Sequence, residues 1–168
     1  VDLNRDGLLD IIVANSIGAN QVFLSTGTVE PFKDVVGLDI PASGDDSRDL
    51  AVDDINNDGF MDVAFANDGA PATVYLHNGT DSPFADVTPI ALGAEDGLGR
   101  ALNLVDLNLD GNLDLVVAYK EQSTRVYYNT GTATPFSEET GIDVSSESFN
   151  VLAMASADIT GNGYPDVV

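Results

Sequence analysis

The sequence has no cysteine and no tryptophan. Without cysteine there is neither a disulfide framework nor a thiolate metal site. That absence leaves the compartment open, because many secreted bacterial proteins also lack the residue. Basic residues are scarce too: six Lys and Arg stand against 28 Asp and Glu, a formal net charge of -22. Nucleic acid and anionic membrane surfaces both need basic patches, so neither is an expected partner. No apolar run approaches the ~20 residues of a membrane helix, so no membrane insertion is expected. No stretch keeps helical periodicity. No Ser/His/Asp motif, P-loop or nucleophile elbow occurs, and the chain reads as non-catalytic. The chain opens "VDLNRDG", with neither Met nor signal peptide, and reads as a processed piece or a segment of something longer.

What is present is a repeat. "DLNRDGLLD" begins at Asp2, "DINNDGFMD" at Asp54, "DLNLDGNLD" at Asp106 and "DITGNGYPD" at Asp158, a constant period of 52 residues. Residues 2–36 and 54–88 share 15 identities in 35 positions, so the likeness runs well past the motif. A fixed period near 50 points to a propeller, solenoid or array. Each period holds short runs rich in Val, Ile and aromatics. They are "LAVD" (50–53), "VAFA" (63–66), "TVYL" (73–76) and, after Pro-Phe, "FADV" (84–87). Gly, Asn, Asp and Pro separate them, so they read as β-strands. Runs such as "VYL" are apolar on both faces, which requires cover on both sides. The expected fold is all-β: a β-propeller, partial or completed by oligomerisation, of four-stranded antiparallel blades. In this register residues 1–46 give strands 2–4 of one blade, and 47–98 and 99–148 give whole blades. Residues 149–168 give the first strand (149–157) and acidic loop of a further blade. That strand would pair with the first blade if the ring closed.

The acidic loop has the spacing of a cation cage. In the second copy, positions 1, 3, 5 and 9 are Asp54, Asn56, Asp58 and Asp62, and the backbone carbonyl of Phe60 lies at position 7. Hard cations such as Ca2+ take about 6–8 oxygen ligands of these kinds. Gly59 permits the positive φ of a sharp turn. An EF-hand is excluded, because its position-12 Glu is replaced by Val13, Phe65 or Val117 inside strands. In the fourth copy Thr160 and Asn162 leave only Asp158 and Asp166 charged, so that loop is expected to bind more weakly. Up to four Ca2+ are expected. Resting cytosolic calcium would not fill such sites, so the location expected is extracellular or cell-surface, reached by secretion.

These residues resemble the FG-GAP/VCBS repeats of integrin-α-like β-propellers. The resemblance implies structural calcium in the loop between strands 1 and 2 of each blade. By matching positions it implies ligands Asp2, Asn4, Asp6, Leu8 (carbonyl) and Asp10; Asp54, Asn56, Asp58, Phe60 (carbonyl) and Asp62; and Asp106, Asn108, Asp110, Asn112 (carbonyl) and Asp114. The last set is Asp158, Thr160, Asn162, Tyr164 (carbonyl) and Asp166. The function implied is an interaction or adhesion module with a protein or glycan ligand. A carbohydrate-binding propeller, the propeller part of a polysaccharide-active enzyme, and a structural spacer are the alternatives. Copies of the chain, or the remainder of a longer one, would complete the ring.

Three further positions stand out. Arg48 and Arg100 share one repeat position, which makes them either counter-ions to Asp45, Asp46, Glu95 or Asp96, or contacts for a ligand. His77, the only histidine, precedes Asn78-Gly79, a two-residue hairpin signal. Its repeat partners Ser25 and Asn129 show that no imidazole is required there. Asn78-Gly79-Thr80 also fits a glycosylation sequon, though the turn explains it better. Phe23, Tyr75 and Tyr127 recur at one strand position and read as core between blades.

Overall fold

The computed structural model describes residues 1–41, 46–93, 97–136, 141–144 and 149–168. Among them there is no helix, and hence none long and apolar enough to cross a membrane. The first sheet contains β1 (Ile11–Val13), β2 (Gln21–Phe23) and β3 (Leu38–Asp39), in that order. The second is a four-stranded meander of β4 (Asp46–Asp53), β5 (Asp62–Asp68), β6 (Ala72–Tyr75) and β7 (Ile90–Leu92). The third contains β8 (Gly99–Val105), β9 (Asp114–Gln122), β10 (Arg125–Tyr127) and β11 (Ile142–Asp143), and β12 (Phe149–Asn150) joins it on β9. A last pair is β13 (Ser156–Ala157) and β14 (Asp166–Val167). All pairings are antiparallel.

The apolar faces explain why the sheets stack. Successive side chains of a strand leave on opposite faces. Thus β5 sends Val63 and Phe65 to one side and Ala64 and Ala66 to the other, and all four are buried. Val63, Phe65, Tyr75 and Phe84 close a seam with Leu3, Val22 and Ile40 of the first repeat. Ala64, Ala66, Ala72 and Val74 close the next seam with Leu115, Val117, Tyr119 and Tyr127. Tyr75 and Tyr127 are therefore core. Beyond the third sheet a cleft of about 680 Å³ runs between Val116, Val126 and Ile142 and the facing Met154, Pro165 and Val167.

Three local expectations are corrected. The run after Pro-Phe is a turn, with the Ala85 N–H on Ser82 O (3.0 Å) and Asp86 at φ 58°. Phe84 plugs the seam from that turn, and the outer strand follows at Ile90–Leu92. Asn78-Gly79 does not make a two-residue hairpin. It opens a loop closed by the Asn78 N–H on Pro83 O (2.8 Å), a bond repeated by Thr26–Pro31 (3.0 Å) and Thr130–Pro135 (2.8 Å). The stretch 149–157 is not one strand: β12 pairs with β9, β13 pairs with β14, and neither pairs with β1.

Candidate metal centre

Three of the acidic loops join a strand to its neighbour, β4 to β5, β8 to β9 and β13 to β14, and the first leads into β1. A common hydrogen-bond pattern draws positions 1, 3 and 5 together in the first three loops, while position 9 is held separately. In the second, the two oxygens of Asp54 take the N–H groups of Asp58 (3.0 Å) and Gly59 (2.8 Å). Asn56 Oδ1 takes the Asp58 N–H (3.0 Å), and Asp58 takes the Phe60 N–H (2.8 Å). The third loop repeats this around Asp106, Asn108 and Asp110, at 2.8–3.1 Å. The first keeps the bonds of Gly7 to Asp2, Asp6 to Asn4 and Leu8 to Asp6, at 2.8–3.2 Å, but not the one to Asp2 Oδ1. Thr160 departs from the pattern, and Asn162 rather than an aspartate takes the Tyr164 N–H (2.8 Å).

The position-9 aspartate sits deepest. Asp10, Asp62 and Asp114 are buried. One oxygen of each accepts the position-2 N–H of its own loop: Leu3 (2.8 Å), Ile55 (3.0 Å) and Leu107 (3.0 Å). The other accepts an N–H fifteen residues on: Ser25 (2.8 Å), His77 (2.7 Å) and Asn129 (2.9 Å). Burial raises the Asp62 carboxyl to about 6 despite these donors, and the Asp58 charge adds to the rise. Burial likewise raises Asp114, with Asp110 and Asp106 contributing. Asp110 is held below its usual value by the Asn112 N–H and then by the Asn108 amide.

Among the described residues, no three His, Cys, Asp or Glu side chains stand close enough together to hold a metal by themselves. Any ion here would draw on the Asn and carbonyl oxygens as well. Two observations make the loops suitable for one. Oδ1 of Asp2 is buried without a hydrogen-bond partner. The donor set in each loop is all hard oxygen, and carboxylates that already take backbone N–H groups keep further lone pairs.

Two sets of residues escape a local reading of the sequence. Position 4 adopts positive φ in every loop: Arg5 59°, Asn57 58°, Leu109 60° and Gly161 72°. Position 6, always glycine, does the same at 85–89°. Asn57 and the glycine of the fourth copy are the sequence signals for position 4. The second set is His77 and Asn129. His77 Nε2 donates to Leu3 O of the preceding loop (2.9 Å), while its Nδ1 accepts the Gly79 N–H (2.8 Å). Asn129 repeats both contacts, to Ile55 O (2.8 Å) and from the Gly131 N–H (2.9 Å). Burial lowers the His77 pKa, in keeping with that neutral tautomer.

Arg48 and Arg100 are the extra residues of β-bulges, between Ser47 and Asp49 in one strand pair and Gly99 and Ala101 in the other. Bulges re-aim side chains. Arg48 pairs with Asp46 and with Asp68 (3.2 Å), and Arg100 with Asp68 (2.9 Å). Asp45, Glu95 and Asp96 lie outside the described residues. The Asn78 amide is engaged within its turn, on Ser82 O and Ala85 O (both 2.9 Å).

Stacked antiparallel sheets, each opening on an acidic turn at a fixed spacing, define a segment of a β-propeller. The chain belongs to the FG-GAP-like repeat family, whose model matches residues 2–65, 54–117 and 106–168. It is similar to integrin alpha-7 of Mus musculus and of Rattus norvegicus, each 30% identical over 138 residues. Those matches cover 71% of this chain and 12% of each integrin, so the chain spans about an eighth of its relatives' length.

Proposed function

We propose that this chain is a calcium-stabilised, extracellular or cell-surface β-propeller module that binds a protein ligand and performs no catalysis. The observation that carries the calcium reading is the recurrence of one oxygen-lined loop, held by one hydrogen-bond pattern, in three successive repeats. The ion would supply positive charge beside Asp62 and Asp114, which burial disfavours as anions. The side chains at positions 1, 3, 5 and 9 and the carbonyls of Leu8, Phe60, Asn112 and Tyr164 would hold it. Asp10, Asp62 and Asp114 anchor the far side of the first three loops to the segments that follow β2, β6 and β10. Arg48 and Arg100 are the proposed ligand contacts. A guanidinium has five N–H donors, so pairing with Asp46 and Asp68 leaves donors for an acidic group.

With site affinities of about 0.1–1 mM, a few mM Ca2+ stabilises the fold by roughly 0.8–2 kcal/mol per site. Thermal melts with and without EDTA, together with calcium stoichiometry, test this. The expected result is a lower Tm in EDTA and three or four ions bound, with one fewer in Asp58→Ala. An unchanged Tm with fewer than two ions bound would remove the calcium reading.

A further inference from the structure

A continuous hydrogen-bond path crosses both seams and joins three of the loops. It starts at the Asp10 carboxylate, which accepts the Leu3 N–H. The carbonyl of the same Leu3 accepts from His77 Nε2 (2.9 Å), and the His77 main-chain N–H donates to Asp62 (2.7 Å). Asp62 accepts the Ile55 N–H, the Ile55 carbonyl accepts from Asn129 Nδ2 (2.8 Å), and the Asn129 N–H donates to Asp114 (2.9 Å). The closing carboxylate of each loop is thus tied to the next through one main-chain residue and one side chain.

A second connection runs alongside. The left-handed backbone at position 4 sends that side chain forward onto the following loop. Arg5 donates to Gly59 O and lies over the Phe60 ring, 3.6 Å from its centroid. Asn57 Nδ2 donates to Asn112 Oδ1 (3.1 Å). Phe60 in turn stacks on His77, 4.7 Å between centroids. The first seam makes its forward and return contacts with Arg5 and His77, the second with Asn57 and Asn129. Unrelated side chains reaching the same two loop positions mark the connection itself as the common element. The fourth loop lacks it: Asp166 takes the N–H groups of Ile159 (2.9 Å) and Thr160 (3.0 Å), both from its own loop.

From this double linkage we propose that the first three loops take up divalent cations cooperatively, with Arg5, Asn57, His77 and Asn129 as the positioning residues that transmit order from loop to loop. The proposal rests on the calcium reading above. An ion that fixes one loop fixes its closing aspartate and position-2 peptide, and with them the donors of the neighbouring loop. The second ion then meets a loop that has already lost part of its conformational freedom, which is a coupling free energy between sites.

The amides of Gly7, Gly59 and Gly111 report each loop separately in a calcium titration followed by NMR. Emptying the first loop with Asp6→Ala should shift the Gly59 midpoint to about fivefold higher calcium or more. In an Arg5→Ala/His77→Phe background, which removes both links across the first seam and keeps a ring at position 77, the same Asp6→Ala change should leave the Gly59 midpoint unmoved. His77→Asn, which copies the second seam, should retain the coupling and covers the case in which the Phe variant fails to fold. A Gly59 midpoint indifferent to Asp6→Ala, with normal calcium shifts in all three glycines, would overturn the cooperative linkage and leave the calcium reading standing. No calcium-dependent shift at any of the three would overturn the calcium reading itself, and the linkage with it.

Discussion

The two seams make the same contacts with different side chains. Between the first and second sheets the return contact is His77 to Leu3 O; between the second and third it is Asn129 to Ile55 O. Their apolar parts differ as well. The first seam sets Phe65, Tyr75 and Phe84 of the second sheet against Leu3, Val22 and Ile40. The second sets Ala64, Ala66 and Ala72 of that sheet against Tyr119, Tyr127 and Phe136. The bulk that one wall withholds, the opposite wall supplies, which is how close packing is kept. Backbone positions fixed by the repeat therefore define a seam. The side chains are exchangeable so long as one reaches the preceding loop's carbonyl and the summed volume is kept.

The largest effect is expected where the two seams do not differ. Asp114→Ala strips an acceptor from the N–H groups of Asn129 and Leu107 in a buried site. The expected cost is about 3 kcal/mol, since each orphaned buried donor costs about 1–3. In a domain of this size that lowers Tm by roughly 6–12 °C. Asp166→Ala, on a half-buried residue at the last strand pair, should cost clearly less. Equal losses in the two melts would deny the closing aspartate its special place in the seams.

An intermediate effect tests exchangeability directly. His77→Leu should cost about 2 kcal/mol in chemical denaturation, since it leaves Leu3 O and the Gly79 N–H unpaired. His77→Asn should recover at least half of that, because Asn129 makes both contacts in the neighbouring repeat. An Asn variant as unstable as the Leu variant would show that the imidazole matters for its stacking on Phe60 rather than for the link.

The smallest effect should be a gain. Leu109 holds φ 60° at position 4, where its equivalents Arg5 and Asn57 reach the next loop, and its own side chain is 53% exposed. A left-handed backbone costs a branched residue about 1–2 kcal/mol, and asparagine less. Leu109→Asn should therefore stabilise by about 0.5–1 kcal/mol, read as a higher denaturation midpoint at unchanged slope. A loss would mean that Leu109 makes a contact its exposure conceals.

Much of the fold was legible because the repeat is long, regular and chemically marked. The 52-residue spacing located the loops, and strands apolar on both faces announced sheets covered on both sides. What escaped was conformational detail that a short run does not encode. "FADV" has strand composition, yet it folds as a turn whose Phe84 fills the seam, since four residues cannot distinguish a strand from a plug. Asn78-Gly79 carries a strong local hairpin signal, but the longer loop closed at Pro83 decides the geometry. Position 4 was opaque because Arg and Leu give no sign of left-handed backbone, and only Asn57 and Gly161 hinted at it. The contacts from His77 and Asn129 to the preceding loop span 74 residues, beyond any local pattern.

The unequal faces of the second sheet have one more consequence. One side carries Phe65 and Tyr75, the other Ala64, Ala66 and Ala72. A sheet inserted back to front would press rings against rings on one flank and leave a hollow between methyl groups on the other. The stack therefore has a polarity, as overlapping roof tiles do. It can be lengthened by duplicating whole 52-residue units in the same sense, and the cost of a reversed unit falls on both of its neighbours at once.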